Sequence, residues 1–359
     1  MKNLTKLTKT QKSNYTTYAV VIIAFAVMFA LQKAGGLSSK MSGMLVPICA
    51  YVVMALSLNL TVGIIGELSL GHAGFMSVGA FVGTSMIIIL QYSGIESPAV
   101  RLLIGIIVAA VVTALIGFLI GIPVLRLKGD YLAIVTLAFA EIIKSLFQNM
   151  YLGIDENGLQ FCMIDNKLNL SENGRLIIEG AMGIRSITKI ASFIGGFILV
   201  MVSLIVIFNL VSSRSGRAIM AIRDNRIAAE SVGIPVFKYK ITAFTISAAM
   251  AGAAGCLFAQ NYSSCIAGKF NIDCSILILV FVVLGGQGNM LGSIIAAAAL
   301  TILPEMLRQI ADYRMLAYAI ILIAVMLIKY NDKIKNFVDN NVKKIKPNKK
   351  NEKEVIANE

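Results

Sequence analysis

Long apolar stretches dominate this sequence and decide what it can fold into. A helix crosses the roughly 30 Å of bilayer hydrocarbon with about 20 residues. Nine stretches approach or exceed that length: residues 15–32, 41–66, 68–92, 102–125, 131–150, 190–211, 241–262, 274–311 and 315–328. Hydrophobic residues make up 57% of the chain and charged residues 14%, a balance typical of a protein solvated by lipid. We therefore predict an all-α polytopic membrane protein.

The stretch 274–311 is too long for one ordinary span, and it contains the glycine-rich sequence VLGGQGNMLGS. We interpret it as two segments broken at residues 285–292, which raises the expected number of transmembrane helices to about ten, some of them broken by Gly. Four Lys precede the first stretch, and the last 31 residues hold nine Lys against five acids. Because positively charged flanks stay in the cytoplasm, both termini are predicted there, which requires an even number of spans.

The same charge rule divides the chain into regions. We predict a transmembrane domain over residues 1–330 and a Lys-rich cytoplasmic tail over residues 331–359. The loop at about 151–189, with five acids and four bases, is predicted to be extracytoplasmic. The basic loop at about 212–240, hereafter called the insert, is predicted to be cytoplasmic.

The insert carries a helix signal in a charged sequence. Ser213 or Ser215 can cap the start, and Gly233 followed by Pro235 is a stop signal, which predicts one helix of about 17 residues, ~25 Å long. The helix is too polar to cross a bilayer, because an Arg or Asp at mid-helix costs ~2.5–3.5 kcal/mol on insertion. It is therefore predicted on the membrane surface, either binding anionic lipid through its arginines or docking a cytoplasmic protein.

Five blocks of the sequence resemble a known family. Within the insert, IAAESVGI resembles the Ala-Ala-…-Gly signature of the loop through which ABC importer permeases engage their ATPase. The blocks SLNLTVGIIGELSLGHAGFMSVGAF, VLRLKGDYLAIVTLAFAEIIK, KITAFTISAAMAGAAGCLFA and FVVLGGQGNMLGSIIAA are similar to the M-type subunit of branched-chain amino-acid permeases. They occur in that family's order between residues 57 and 305. Two segments depart from the pattern: YLGIDENGLQFCMID replaces a Gly-Gly-Pro-Asn-Gly-like turn, and LIKYNDKIKNF lacks an Arg-Pro-x-Gly-Leu-like end.

The resemblance implies the pathway-forming subunit of an ATP-driven importer in the bacterial cytoplasmic membrane. Its expected cargo is a branched-chain amino acid, with urea or another small polar solute as the alternative. It implies three protein partners beside membrane lipid: cytoplasmic ABC ATPase subunits that bind the ATP, a second homologous permease, and an extracytoplasmic substrate-binding protein. No catalytic residue, cofactor or nucleic-acid partner is expected for this chain. The sequence also lacks the G-x-x-x-x-G-K-[ST] loop that cradles ATP phosphates. An ion-coupled secondary transporter is the first rival interpretation. A membrane-embedded hydrolase is the second, and it would need catalytic partners that the lone His72 lacks.

The resemblance further implies which residues couple the chain to its ATPase. The two alanines of the signature would permit close approach of a partner, and the glycine would set the turn after the helix. Charged side chains of the helix would form surface pairs with the partner. The candidate coupling residues are Arg217, Arg223, Asp224, Arg226, Ala228, Ala229, Glu230 and Gly233. Arg226 and Glu230 stand four residues apart, so an ion pair within the helix is the alternative for these two.

Ionisable residues inside apolar stretches are costly and are therefore candidates for the transport pathway. Glu141 lies ~16 Å along a helix from Asp130, and a mutually neutralising pair with Lys144 is the alternative to a substrate role. A second candidate region is the junction LSLG, which is either a discontinuous helix whose freed amides face substrate or a cytoplasmic turn. The candidate pathway residues are Glu67, Gly71, His72, Gly74, Phe75 and Glu141.

Cysteine and glycine usage gives two smaller predictions. The chain has five Cys and one His and no C-x-x-C spacing, so no metal site is expected. Cys265 and Cys274 are either a disulfide across an outer loop or, as we favour, free thiols. Four glycines at small-xxx-small spacing indicate close helix packing: Gly79 with Gly83, and Gly117 with Gly121.

Overall fold

A computed structural model describes residues 9–36, 38–127, 129–155, 158–163 and 174–306, together with residues 319, 320 and 323. The chain forms two compact units, residues 1–302 and residues 303–359. Of the second unit only residues 303–306, 319, 320 and 323 are described. The predicted boundary near residue 330 and the predicted Lys-rich tail therefore lie outside the described residues.

Helices make up most of the described chain. Their bounds are α1 Lys9–Lys33, α2 Ser39–Asn59, α3 His72–Tyr92, α4 Pro98–Val124, α5 Asp130–Gln148, α6 Phe193–Ser212, α7 Arg214–Asp224, α8 Arg226–Ser231, α9 Val236–Ala259, α10 Ile272–Gly285 and α11 Met290–Met306. Leu60–Ile65 forms a π-helical segment, and Gly180–Met182 and Ala267–Lys269 form short 3-10 turns.

Seven helices in the described part of the chain are long and apolar enough to cross a membrane. They are Asn14–Lys33, Ser39–Ile65, His72–Tyr92, Pro98–Val124, Phe193–Ser212, Val236–Ala259 and Ala267–Gly285. The polytopic helical fold is thus confirmed, whereas the number of about ten spans stays a prediction. Two of the predicted stretches account for part of the difference. Residues 131–150 form α5, which carries three charged residues, and residues 315–328 lie almost entirely outside the described part.

The first unit has two ends, which we call the insert end and the sheet end. Arg126, just before α5, lies over the Phe237 ring near the start of α9, at the end of the bundle that carries the insert. The last residue of α5 leads into a strand at the opposite end. At that sheet end the Asn261 side chain donates to the carbonyl of Gly43 near the start of α2. Therefore α5 runs between the same two ends as its neighbours.

The loop predicted at about 151–189 contains a small antiparallel sheet, which corrects the all-α prediction for this segment. The strands are β1 Met150–Asp155, β2 Gly158–Met163 and β3 Arg175–Glu179, in the order β2-β1-β3. The central strand pairs Leu152 with Phe161 on one side and with Ile178 on the other. Its sequence, MYLGID, contains one glycine and one acid and resembles a loop, and pairing with both neighbours satisfies its backbone groups.

The predicted close packing of glycines is found around α9. A methyl group added at Gly79 would overlap the backbone of Gly252 in α9. The other three glycines also face this helix: Gly83 against Cys256, Gly117 against Ala248 and Gly121 against Phe244. Helix α9 therefore forms the centre of the unit, with α3 and α4 packed on it through small residues.

Two interruptions of the helices lie at the insert end. The first helix break, residues 60–71, begins with the π-helical segment, turns at Gly66 with φ +80° and ends where α3 starts. It connects two antiparallel spans, α2 and α3, and is thus a turn with an irregular helical start. The second helix break, residues 286–289, separates α10 from α11 and contains Gly286 and Gly288 at φ +100° and +80°. The break predicted within the stretch 274–311 lies there.

Candidate functional site

The insert is folded as two helices, which corrects the prediction of one continuous helix. Ser213 caps α7 by accepting from the backbone N–H of Gly216 at 3.1 Å. Asn225 interrupts the helix with extended dihedrals, and its side chain accepts from the N–H of Ala228 at 3.1 Å. Asparagine is among the preferred residues for starting a helix in this way, so it begins α8. The predicted stop is found at Gly233, whose φ is +82°.

A small apolar core lies beneath the two insert helices. Ile222, Ala229 and Val236 are buried together, at 3%, 3% and 7% exposure. The side chain of Ala229 packs inside the chain in this structure, and its contact with a partner stays a prediction. Ala228 is exposed and remains available on the surface.

Most charged side chains of the insert lie on its surface. Arg226 pairs with Glu230 at 2.9 Å, so the alternative of an ion pair within the helix is found for these two. Arg217 is exposed and donates to the carbonyl of Ser212 at 3.3 Å. Exposed pairs of this kind contribute little to folding stability, which leaves their charges free to serve recognition.

Arg223 differs from the other insert arginines because it also reaches into the bundle. Its Nε and Nη2 donate to Asp224 Oδ1 at 3.1 and 2.9 Å. Its Nη1 donates to the carbonyl oxygen of Gly63 at 2.8 Å. The sequence expectation of a purely outward surface charge is therefore incomplete for this residue.

Two large apolar side chains of the insert escaped the sequence analysis. Ile227 in α8 is 77% exposed, and Val232 in the following turn is 76% exposed. Helical phase was the signal that could have found the first. Within α8, Ala229 is buried and stands two positions after Ile227, about 200° around the helix, which directs Ile227 away from the buried side. Contiguous exposed apolar patches mark protein or membrane contacts, so these two side chains are candidates for such a contact.

Glu67, a candidate for binding the substrate's ammonium group, already has a cationic partner. Lys240 Nζ donates to Glu67 Oε1, and the two side chains are only 8% and 14% exposed. The pair joins the first helix break to the first turns of α9. In this structure Glu67 therefore serves the contact between these two elements.

His72 belongs to a buried network of hydroxyl groups centred on Ser247. Ser247 Oγ donates to the carbonyl of Ser57 at 2.7 Å, and Ser57 Oγ donates to the carbonyl of Ser247 at the same distance. Ser247 Oγ then accepts from Thr61 at 2.9 Å and from His72 Nε2 at 2.9 Å. With the proton on Nε2, the Nδ1 atom of the ring accepts from Ser69 at 3.3 Å. The ring is held rigidly at the start of α3.

Gly71, Gly74 and Phe75 lie where α3 packs on α5. A methyl group added at Gly71 would lie 2.5 Å from the Thr136 carbonyl oxygen, and one at Gly74 would lie 2.8 Å from Ala140 Cα. Gly71 and Phe75 border a cavity of about 10 Å³, which is the size of a single water at most. In this structure the space between these residues is too small for an amino acid, and their role in the pathway stays a prediction.

Glu141 lies apart from that group, on a partly exposed side of α5. It accepts a hydrogen bond from Lys144 Nζ at 2.7 Å, and the two side chains are 33% and 21% exposed. The mutually neutralising pair offered as the alternative to a substrate role is therefore what the structure contains.

The two helix breaks contact each other through Asn59, a residue that the sequence analysis did not select. Asn59 Oδ1 accepts from the N–H of Gly288 at 2.7 Å, and its Nδ2 donates to Ser293 Oγ at 2.9 Å. A methyl group added at Gly63 would overlap both Gly288 and Asn59. A polar residue inside the apolar block SLNLTVG was the available signal, because buried amides require partners.

All five cysteines are free thiols, and four of them are buried. At the sheet end, burial raises the pKa of the Cys265 thiol to about 12, although Lys269 lowers it in part. In the described part of the chain, no three His, Cys, Asp or Glu side chains gather as a metal ion would require.

Comparison with known proteins gives a consistent picture. The family model described as branched-chain amino acid transport system / permease component matches residues 40–328. The high-affinity branched-chain amino acid transport system permease protein LivM of Salmonella typhimurium is 34% identical over 89% of this chain and 74% of its own length. The Escherichia coli LivM protein is 35% identical over 77% of this chain and 66% of its own length.

A second kind of permease protein is more distantly similar. The high-affinity branched-chain amino acid transport system permease protein LivH of Salmonella typhimurium is 26% identical over 70% of this chain and 79% of its own length. No solved structure matches the chain.

Proposed function

This chain belongs to the branched-chain amino acid transport system permease family, and we propose that it forms the translocation pathway of an ATP-driven importer of leucine, isoleucine and valine. The observation that carries the proposal is the extent of the family match. It runs from residue 40 to residue 328 and so includes six of the seven candidate spans, both helix breaks and the insert. Urea import and ion-coupled transport are less consistent with relatives named for branched-chain amino acids.

The insert is proposed to dock cytoplasmic ATPase subunits, which bind and hydrolyse the ATP. Support comes from its surface, which combines exposed apolar and charged side chains beside a rigid, capped pair of helices. The proposed docking residues are Arg217, Asp224, Arg226, Ile227, Ala228, Glu230 and Val232, with Gly233 setting the turn behind them. The side chains of Ile227 and Val232 carry the most apolar area to this surface, and burying such area drives association.

Orientation and the other partners follow from the same assignment. We propose that the insert end and both termini face the cytoplasm, as the basic flanks predict. The sheet end would then face outward and receive an extracytoplasmic substrate-binding protein. A second, LivH-like permease is proposed as the pairing subunit, because this chain is itself similar to a LivH protein.

The pathway is proposed to open where α3 meets α5. Gly71 and Phe75 border a cavity too small for an amino acid, and Gly74 packs against Ala140 of α5, so transport requires these two helices to separate. Glu67 and His72 are held by their own partners beside this contact. Glu141 with Lys144 lies on the same helix as the moving face. Alternating access by the rocking of packed helices provides the general mechanism.

Reconstitution tests the proposal. The chain is co-expressed with its proposed ATPase, second permease and binding protein, and the purified complex is placed in proteoliposomes. ATP-dependent uptake of radiolabelled leucine, competed by isoleucine and valine and absent without the binding protein, is the expected result. Uptake by this chain alone without nucleotide would favour an ion-coupled carrier. ATP-dependent uptake of urea without leucine would favour the alternative cargo.

A further inference from the structure

Arg223 of the insert contacts the first helix break. A π-helical segment leaves its carbonyls out of register with the preceding α-helix, and Arg223 Nη1 donates to one of them, Gly63 O, at 2.8 Å. A hydrogen bond from a guanidinium is charge-assisted and about twice as strong as a neutral one. A methyl group added at Gly66 would lie 2.7 Å from Arg223 Cγ. The side chain thus covers the end of the π-helical segment along its length.

The opposite side of the same backbone segment contacts the second helix break. Asn59 Oδ1 accepts from the Gly288 N–H at 2.7 Å, and Gly63 lies against Gly288 so closely that a side chain would not fit. Asn59 also bonds Ser293 in the first turn of α11. Gly63 is therefore held between the insert arginine and the second break.

An ion pair is the second contact between the first helix break and the region of the insert. Lys240, where the insert passes into α9, pairs with Glu67, which lies just after the π-helical segment of the break. Residues 60–67 are thus bonded at two places, to Arg223 of α7 and to Lys240 of α9. Irregular backbone deforms at lower cost than a continuous helix, since fewer regular hydrogen bonds must break.

We propose that Arg223 is a positioning residue that transmits movement of α7 into the two helix breaks, through Gly63 and Asn59, and is not a docking residue for the ATPase. This inference rests on the proposed function. When the ATPases displace α7, the guanidinium draws the π-helical segment with it. The contact between Gly63 and Gly288 then shifts α11 relative to α2. The backbone of the two helix breaks changes conformation, while α9 and its glycine contacts stay packed.

The test separates assembly from coupling in the reconstituted complex. Arg223→Gln removes the charge-assisted donor but keeps a polar side chain, and Arg223→Lys keeps the charge. Arg214→Gln, at the exposed start of the same helix, is the matched control. For Arg223→Gln we expect ATPase co-purification equal to that of wild type and leucine uptake per ATP hydrolysed lowered roughly 2- to 30-fold, the range of coupling effects of single residues. Arg223→Lys should recover part of the loss, and Arg214→Gln should match wild type.

A double-mutant cycle with Asn59→Ala tests the route itself. If Arg223 and Asn59 act through the same backbone segment, the double variant loses no more uptake per ATP than the worse single variant. Faster amide exchange over residues 60–67 and 286–290 in Arg223→Gln is the accompanying structural change expected. Additive losses, or unchanged exchange in both breaks, would overturn the proposed route.

Two results would overturn the inference while leaving the proposed function intact. One is loss of ATPase co-purification in Arg223→Gln, which would make Arg223 a docking residue. The other is uptake per ATP equal to that of wild type. If the wild-type complex itself shows no ATP-dependent leucine uptake, the proposed function fails and the inference fails with it, a result distinguishable from the first two.

Discussion

Lys240 and Glu67, 173 positions apart in the sequence, form an ion pair in which both side chains are largely withdrawn from solvent. The pair closes the first helix break against α9 at the insert end. Each residue is thereby the neutralising partner of the other, and the stability of this junction depends on both being present. The contact also explains why an acidic residue is tolerated beside an apolar stretch.

Removing either charge of this pair should destabilise the protein strongly. Glu67→Gln or Lys240→Met leaves the remaining charge buried without a counter-ion, which costs about 3–5 kcal/mol in comparable buried pairs. The double variant Glu67→Leu/Lys240→Met removes both charges and should recover most of that loss. Thermal unfolding of the detergent-solubilised protein, followed by circular dichroism, measures the difference. A double variant as unstable as the single variants would contradict the ion-pair explanation.

The hydroxyl of Ser247 should matter more than an ordinary buried hydroxyl. Ser247→Ala deprives Ser57, Thr61 and His72 of a shared partner, and a buried polar group left unsatisfied costs about 1–3 kcal/mol. Ser77 is fully buried, and its hydroxyl has no hydrogen-bond partner among the described residues. Ser77→Ala leaves no polar group unsatisfied, so it is the matched control and should not destabilise the protein. Melting temperatures compare the two variants. Equal losses would show that the network adds nothing.

Close packing on α9 predicts a large effect from a single methyl group. Gly79→Ala forces a Cβ into the backbone of Gly252, and overpacking of this kind costs about 1–3 kcal/mol or more. Gly43, in the first turns of α2, has nothing within 4 Å of an added Cβ. Gly43→Ala should therefore stabilise by about 0.5–1 kcal/mol through helix propensity. Yield after solubilisation and melting temperature report both, and a harmless Gly79→Ala would refute the packing geometry.

Much of this architecture could be predicted because its signals are local. Apolar length gives the spans, small-xxx-small spacing gives the glycine contacts of Gly79 and Gly117, and the glycine cluster at residues 283–293 gives the second helix break. The stop signal at Gly233 is equally local, since a left-handed φ favours glycine. Each of these features is fixed by a few consecutive residues, whatever the rest of the chain does.

The features that sequence reasoning missed depend on distant partners. Nothing near Glu67 in the sequence indicates Lys240, and nothing near Arg223 indicates the carbonyl of Gly63. At Asn225 the backbone can either continue the helix or leave it, with the side chain capping a new helix. The apolar core beneath the insert decides between the two. The small sheet is similar, because its strands are short and gain their hydrogen bonds only from each other.

Cys265 should resist alkylation until the protein unfolds. Burial raises the pKa of its thiol from 9.0 to about 12. Only the thiolate reacts, so the reactive fraction near neutral pH falls about a thousandfold. Because the pKa is raised, labelling in the native state should stay low through pH 9 and increase only as the pH approaches 12. Iodoacetamide labelling of a variant whose only cysteine is Cys265, measured by mass spectrometry with and without denaturant, checks this. Rapid labelling at pH 8 would show that the loop opens.

If the insert docks the ATPase, substitutions on the insert surface should weaken ATPase binding without destabilising the permease. Ile227→Asp and Val232→Asp place a charge where an apolar side chain would be buried by the ATPase, and each should lower ATPase co-purification about tenfold or more, as loss of an interface anchor does. Because both side chains are more than three-quarters exposed in the free chain, neither change should lower the melting temperature of the isolated permease. That separation distinguishes a binding defect from a folding defect.

Leu159 provides the matched control for this surface. It is an exposed apolar residue, 57% exposed, on β2 at the sheet end. Leu159→Asp makes the same chemical change at the opposite end of the bundle, so ATPase co-purification should stay at the wild-type level. Equal losses from Leu159→Asp and Ile227→Asp would mean that added charge disturbs the complex in general. Wild-type co-purification by Ile227→Asp and Val232→Asp would mean that the ATPase binds elsewhere. Loss confined to the insert variants is the pattern that a coupling surface built on α8 requires.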